Sequence, residues 1–285
     1  MSRFDTDLES ELRALVKRRL QDDPNLRVYA AVEARWIVQH ALDNSLNGED
    51  ARTSVQSMTT KRLAGVPLSR IFGEAEFYGL PIGVNDATLD PRNDTEALVE
   101  LVLAHLEDLP LRLLDLGTGT GCIPIALLSC RHQWQATGVD LAPQAVSQAE
   151  QNRDDPRLAL HQLSARLDFL VSDWFDALDR DGAYDLIVSN PPYLTSEEMV
   201  DLDASVRGYD PTLALDGGSG GLAPYRLIFG QAPAWLSQTG LVAVEIGWQQ
   251  KDDVVSIAKK SGFRLLDARQ DLGQRDRALL FQRVN

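Results

Sequence analysis

The chain has 285 residues, 44% hydrophobic and 25% charged, the balance of a soluble globular protein with room for one large domain or two ordinary ones. Its formal net charge of −14 argues against a partner gripped by a phosphate backbone, and no apolar run is long enough to cross a bilayer. With no charged-then-apolar leader in the sequence, the expected location is the cytoplasm.

The charge is unevenly spread. Residues 1–80 carry 11 Lys and Arg against 12 Asp and Glu, which leaves −13 on the remainder. An acidic body of this kind would attract a basic partner. Both cysteines, Cys122 and Cys130, fall in one predicted helix and read as free thiols. The histidines (His40, His105, His132 and His161) share no ligand-like spacing, so no metal site is expected.

Residues 7 to about 70 read as helices. "LESELRALVKRRL" places Leu8, Leu12, Leu15 and Val16 on one face, and "VYAAVEARWIVQHAL" does the same with Val28, Val32, Trp36 and Leu42. "SVQSMTTKRLAG" ends at Gly65, a helix stop. Glycines then flank short apolar runs in "GEAEFYGLPIGVN", which predicts a hairpin or linker. From about residue 89, runs rich in Val, Ile and Leu alternate with helix-length segments, as in a mostly parallel sheet with helices on both faces.

"LLDLGTGTGCIPIALL" gives a strand, the glycines Gly117, Gly119 and Gly121, and then a helix. Such a loop turns tightly and lets the backbone approach a ligand. The next strand, "QATGVDLAP", ends in Asp140, where a carboxylate can accept both hydroxyls of a ribose. A dinucleotide fingerprint wants a further glycine where this chain has Cys122, so a smaller adenosine ligand fits better. In "LVSDWFDAL", Asp173 and Trp174 follow a third strand and could hold an adenine edge and face.

A fourth strand, "YDLIVSN", runs into Asn190, Pro191, Pro192 and Tyr193. Asn190 offers a side-chain oxygen, the prolines offer carbonyls in a stiff backbone, and Tyr193 offers a flat ring. Two converging acceptors suit a planar NH2 group, whose nitrogen could be alkylated in line with no titratable base, because positioning supplies most of the rate.

In this order and spacing, "DLGTGTG", "GVD", "SDWF" and "SNPPY" resemble a class I S-adenosylmethionine-dependent methyltransferase that acts on amino nitrogens. "LAGVPLSRIFGEAEFYGL", "PRNDTEALVE", "DPTLALDGGSGGLAPYRLI", "EIGWQQ" and "DLGQRDRALL" extend the similarity to the bacterial peptide chain release factor glutamine methyltransferases, over roughly residues 60–285. The resemblance implies an α/β, Rossmann-like, mostly parallel seven-stranded sheet with helices on both faces. A small N-terminal helical bundle would join it through a β-hairpin linker. The expected division is a helical substrate-recognition domain over 1–72, the linker over 73–88 and the methyltransferase domain over 89–285.

The same resemblance implies that Gly117, Thr118, Gly119, Thr120 and Gly121 wrap the methionine end of S-adenosyl-L-methionine. Asp140 would bind the ribose, Trp174 the adenine, and Asn190 both cofactor and substrate. Pro191, Pro192 and Tyr193 would cradle the amide of the glutamine in the Gly-Gly-Gln motif of class 1 release factors. Asn190, Pro191 and Tyr193 are the expected catalytic group, and the products are N5-methylglutamine and S-adenosyl-L-homocysteine. The expected enzyme is a monomer with a protein substrate, no direct nucleic-acid partner and no membrane. The chain departs from the family pattern at Asp90, at Asn93 within Pro91-Arg92-Asn93-Asp94-Thr95-Glu96, and at Tyr209-Asp210-Pro211. Two other readings share the acceptor set: the glutamine methyltransferase of ribosomal protein L3, and an adenine N6-methyltransferase on DNA or RNA, which would need a phosphate-binding surface.

Overall fold

The structure, a computed structural model, describes residues 6–179, 183–202 and 208–284. The chain divides into two compact units, one ending at Gly73 and one beginning at Glu74.

The first unit holds helices α1 (Thr6–Gln21), α2 (Ala30–Asn44), α3 (Gly48–Leu63) and the short α4 (Leu68–Phe72). Leu12, Val16 and Leu20 of α1 recur every fourth residue and pack with Ala34, Ile37, Val38 and Ala41 of α2 and Val55 of α3. One expected face is wrong. Val28, Val32 and Trp36 stand exposed, as does Leu15, while the alanine side of α2 is buried. Alanines let the helices approach closely, so the smaller side chains carry the interface and the larger ones are left outside. Asn47 caps α3 by accepting from the Glu49 and Asp50 N–H groups at 2.9 and 3.0 Å. Arg62 makes a bidentate pair with the buried Glu33, both contacts at 2.8 Å.

The second unit opens with a hairpin, β1 (Glu74–Phe77) and β2 (Leu80–Gly83). Its turn residues Tyr78 and Gly79 have φ of 54° and 74°, the left-handed pair that a two-residue hairpin loop requires. Glu96 Oε1 accepts from the Tyr78 N–H at 2.9 Å and pins that turn to the start of α5 (Glu96–His105).

A seven-stranded sheet follows: β3 (Leu111–Leu116), β4 (Trp134–Asp140), β5 (Leu167–Val171), β6 (Tyr184–Ser189), β7 (Leu236–Glu245), β8 (Phe263–Gln270) and β9 (Asp276–Arg283). Their order across the sheet is β5-β4-β3-β6-β7-β9-β8; the first five are mutually parallel and β9 runs antiparallel to both its neighbours. The inner strands are buried on both faces. Leu186, Val188, Leu241, Ala243 and Leu280 point to one core with α5 and α6 (Cys122–Cys130). Ile187, Val242, Val244, Leu279 and Phe281 point to the other, with α8 (Ala223–Gln231) and α9 (Lys251–Lys260). The fold is therefore the Rossmann-like class I methyltransferase fold. Strand order reverses between β3 and β6, so a crevice opens at their carboxyl ends, where open α/β sheets bind ligands.

Among the described residues, no helix is long and apolar enough to cross a membrane, and no group of three His, Cys, Asp or Glu residues is placed to hold a metal.

Candidate active site

The carboxyl end of β3 delivers the glycine loop. Gly117 and Thr118 both donate N–H to the Val139 carbonyl, at 2.9 and 2.8 Å, which folds the loop over the end of β4. Asp140 closes that strand end. Its Oδ2 accepts from the Gly119 N–H and its Oδ1 from the Ala142 N–H, both at 2.9 Å. Burial raises its carboxyl above the ordinary range, against the pull of these N–H groups. Gly121 has no room for a side chain, since a Cβ there would lie 2.8 Å from the Phe169 ring. From α7 (Pro143–Arg153), Asn152 donates to the Thr120 carbonyl at 2.8 Å and exchanges hydrogen bonds with Gly83 N and O at 2.8 and 2.9 Å. One amide thus ties the hairpin to the glycine loop.

Beyond β5, Ser172 Oγ donates to the Trp174 carbonyl at 3.0 Å and accepts from the Ala177 N–H at 3.0 Å. Trp174 is held at φ 51°, a conformation that bulky residues avoid and that tight local bonding sustains. Gly117, Thr118, Gly119, Thr120, Asp140, Asp173, Trp174, Asn190 and Pro192 all line one cavity of about 680 Å³. Gly121, the next residue of the loop, is buried and does not line it. Cys122 also faces this cavity, and burial pushes its thiol up to about 12.

Asn190, at the end of β6, faces a second cavity too, of about 510 Å³, together with Tyr193, Leu194, Asp94, Glu245 and Arg277. Leu89, Pro91 and Arg92 line both spaces as well. Pro191 is buried and lines neither. The Asn-Pro-Pro-Tyr segment is clamped from behind: Gln250 Nε2 donates to the Tyr193 carbonyl at 3.0 Å, and Gly217 donates its N–H to the Leu194 carbonyl at 2.9 Å.

Sequence reasoning missed the residues that hold Asn190. Its Nδ2 donates to Thr95 Oγ1 at 3.1 Å, and the Tyr193 hydroxyl donates to Glu245 Oε1 at 3.4 Å. Glu245, at the end of β7, is 1% exposed, and its Oε2 has no hydrogen-bond partner. Burial pushes its carboxyl up to about 7, with Asp94 adding to the rise and Thr95, Arg277 and Tyr193 opposing it. Burial also raises the Tyr193 phenol, and the Glu245 charge adds to that. Arg277 is itself shared between Asp94 at 3.0 Å and Asp271 at 3.1 Å. "PRNDTE" and "EIGWQQ" carried Thr95 and Glu245 as resemblance only, because each acts through a partner more than fifty positions away. Asp115 was missed as well. It lies wholly buried beside Thr118, neither oxygen has a hydrogen-bond partner, and burial pushes it up to about 7.

Relatives match the chain over most of their length. The chain is 42% identical to the release factor glutamine methyltransferase of Agrobacterium fabrum, with 82% of this chain and 81% of that one covered. It is 40% identical to that of Rhodospirillum rubrum over 96% and 87%, and 38% identical to that of Escherichia coli K12 over 79% of each. The chain belongs to the release factor glutamine methyltransferase family. The methyltransferase small domain matches residues 92–205. A methyltransferase from Pyrococcus furiosus shares the fold, with a TM-score of 0.55 at 17% identity over 79% of this chain and all of that one. As a member of this family the protein is a methyltransferase, and the segment matched by the domain spans both the glycine loop and the Asn190 strand end.

Proposed function

We propose that the protein transfers a methyl group from S-adenosyl-L-methionine to the side-chain amide nitrogen of the glutamine in the Gly-Gly-Gln motif of class 1 release factors. The observation that carries this reading is that Asn190 lines both cavities, one of a volume suited to a cofactor and the other adjoining it.

The larger cavity fits an adenosyl ligand. It combines a loop with no side chains at Gly117 and Gly119, a carboxylate at Asp140 already oriented by two backbone N–H groups, and an aromatic face at Trp174. When bound, the cofactor supplies an electrophilic methyl group on a sulfonium. Asn190 and Tyr193 then act on the glutamine. An amide nitrogen is a poor nucleophile because its lone pair is delocalised into the carbonyl. The Asn190 oxygen accepts one of its N–H groups and turns the lone pair toward the cofactor side, and the Tyr193 ring flanks the amide plane. The nitrogen would form one bond to the methyl carbon as that carbon's bond to sulfur breaks, with S-adenosyl-L-homocysteine leaving as the neutral thioether, and would release one proton to water. Removing such an acceptor costs about 2–4 kcal/mol of transition-state stabilisation.

The test is transfer of labelled methyl to a purified class 1 release factor, beside its Gln→Ala variant and duplex DNA. Label on the unaltered factor alone, lost about a hundredfold or more in Asn190→Ala, is expected. Label on DNA would overturn the substrate, and full activity in Asn190→Ala would overturn the role of that residue.

A further inference from the structure

Asn190 can serve as an acceptor only if its oxygen, and not its NH2 group, faces the substrate. Nothing within the amide decides this. What decides it is the polarity of the hydrogen bond on its other side, to Thr95.

A threonine hydroxyl has one proton to give. If that proton is committed elsewhere, Thr95 Oγ1 can only accept, Asn190 must turn Nδ2 toward it, and Oδ1 is left facing outward. This is the observed arrangement, with Nδ2 at 3.1 Å from Oγ1. Glu245 Oε2 is the buried, unsatisfied acceptor in the same group, and Thr95 stands beside that carboxylate and favours its charged form. The other oxygen, Oε1, takes the Tyr193 hydroxyl at 3.4 Å.

We propose that Glu245 is a positioning residue for methyl transfer: as a carboxylate it accepts a hydrogen bond from the Thr95 hydroxyl and so locks the Asn190 amide with its oxygen toward the glutamine. If Glu245 carries a proton, it can donate to Thr95. Thr95 then donates to Asn190, the amide turns over, and its NH2 group meets the NH2 group of the substrate. Two donors face each other and the site loses its acceptor. Glu245 never touches the substrate in this scheme; it acts through Thr95.

The groups around Glu245 set when this happens. Arg277 on β9 favours the carboxylate and Asp94, ahead of α5, opposes it. Tyr193 donates to it, and Tyr225 on α8 donates to its backbone carbonyl at 2.9 Å. Burial outweighs the favourable contacts and brings the carboxyl up to about 7.

The inference rests on the glutamine reading, and the experiment separates the two. Turnover on a release factor is measured from pH 5.5 to 8.5 for the unaltered enzyme, Glu245→Gln, Thr95→Val and Thr95→Ser. The expected result is a kcat that rises through about pH 7 in the unaltered enzyme, and a kcat at least tenfold lower and flat with pH in Glu245→Gln. The amide introduced by that substitution donates to Thr95 at every pH. Cofactor affinity by calorimetry is expected to stay within about twofold. Thr95→Val should lose as much as Glu245→Gln, and Thr95→Ser should recover most of it. Thermal unfolding gives a readout independent of turnover: the unaltered protein should lose melting temperature relative to Glu245→Gln as pH rises from 5 to 8. Unchanged kcat and pH profile in Glu245→Gln, or full activity in Thr95→Val, would overturn the relay and leave the reaction standing. No turnover by the unaltered enzyme would overturn both.

Discussion

Arg92 Nη2 lies 2.5 Å from Asp210 Oδ2, an ion pair between two loops 118 positions apart in sequence. Arg92 lines both cavities and Pro211, next to its partner, lines the larger, so the pair fastens one wall of the site to another. With Arg92 43% exposed, the coupling is expected to be about 1 kcal/mol, or roughly fivefold in cofactor affinity. Calorimetry on Arg92→Ala, Asp210→Ala and the double variant checks this. The double variant should be no worse than either single one, and additive losses would show that the pair does not act as a unit.

Asp140→Asn looks conservative and should not be. Both carboxylate oxygens already accept backbone N–H groups, from Gly119 and from Ala142. An amide must turn its NH2 toward one of them, and a donor then meets a donor. The glycine loop loses a tie or the following turn does, at a cost of about 1.5–3 kcal/mol for a hydrogen bond to a charged group. Cofactor affinity is expected to fall about tenfold to a hundredfold by calorimetry, with the overall fold intact by circular dichroism.

Stability should fall as pH rises from acid toward neutral. Asp115 is raised from 3.8 to about 7 and Glu245 from 4.5 to about 7, each chiefly by burial. For a raised carboxyl, the folded state binds the proton more tightly than the unfolded chain does. Its favourable contribution is complete below the unfolded value near 4, is lost as pH climbs to about 7, and is flat above that. Each group contributes on the order of 3–4 kcal/mol as an upper bound, taking about 1.36 kcal/mol per pKa unit. Asp154, lowered to about 2 by Arg153 and Ser164, acts in the opposite sense but in a window below pH 4. Urea midpoints are expected to drop between pH 5 and 7.5, and Asp115→Asn with Glu245→Gln should flatten the slope. A midpoint that rises over that interval in the unaltered protein would contradict the burial argument.

Two neighbouring glycines make a matched pair. Gly220 and Gly221 have φ of 71° and 65°, so an alanine is strained at either. At Gly220 a Cβ meets nothing within 4 Å; at Gly221 it would sit 2.1 Å from the Tyr193 carbonyl oxygen. Gly220→Ala should therefore cost about 1 kcal/mol and leave turnover nearly intact. Gly221→Ala must push the Asn-Pro-Pro-Tyr segment from its place, so methyl transfer should fall far more than the melting temperature does. Equal effects of the two on turnover would mean that the clamp behind Tyr193 is dispensable.

The sheet and its crevice were legible because the signals are local: a hydrophobic strand, then glycines or a proline pair, at regular intervals. Asp140 and Asn190 were legible for the same reason, as polar residues at strand ends. Thr95, Glu245, Asp115 and Asn152 were not. Thr95 reads as an ordinary helix start and Glu245 as an ordinary polar residue at a strand end, and only the folded chain brings them to Asn190 and Tyr193. The helical unit was misread on α2 for an energetic reason. Periodicity admits two stripes there, and the eye follows Val32 and Trp36, whereas packing density favours the closer approach that Ala34 and Ala41 permit.

Cys122 sits on the wall of the larger cavity with a thiol pushed up to about 12. Burial thus disfavours the thiolate, which is the form that attacks carbon. A protein that brings an activated methyl group into such a cavity faces a hazard of its own making, namely alkylation of the softest nucleophile within reach. Burial that looks like ordinary packing thus also spares the catalyst from consuming its own reagent.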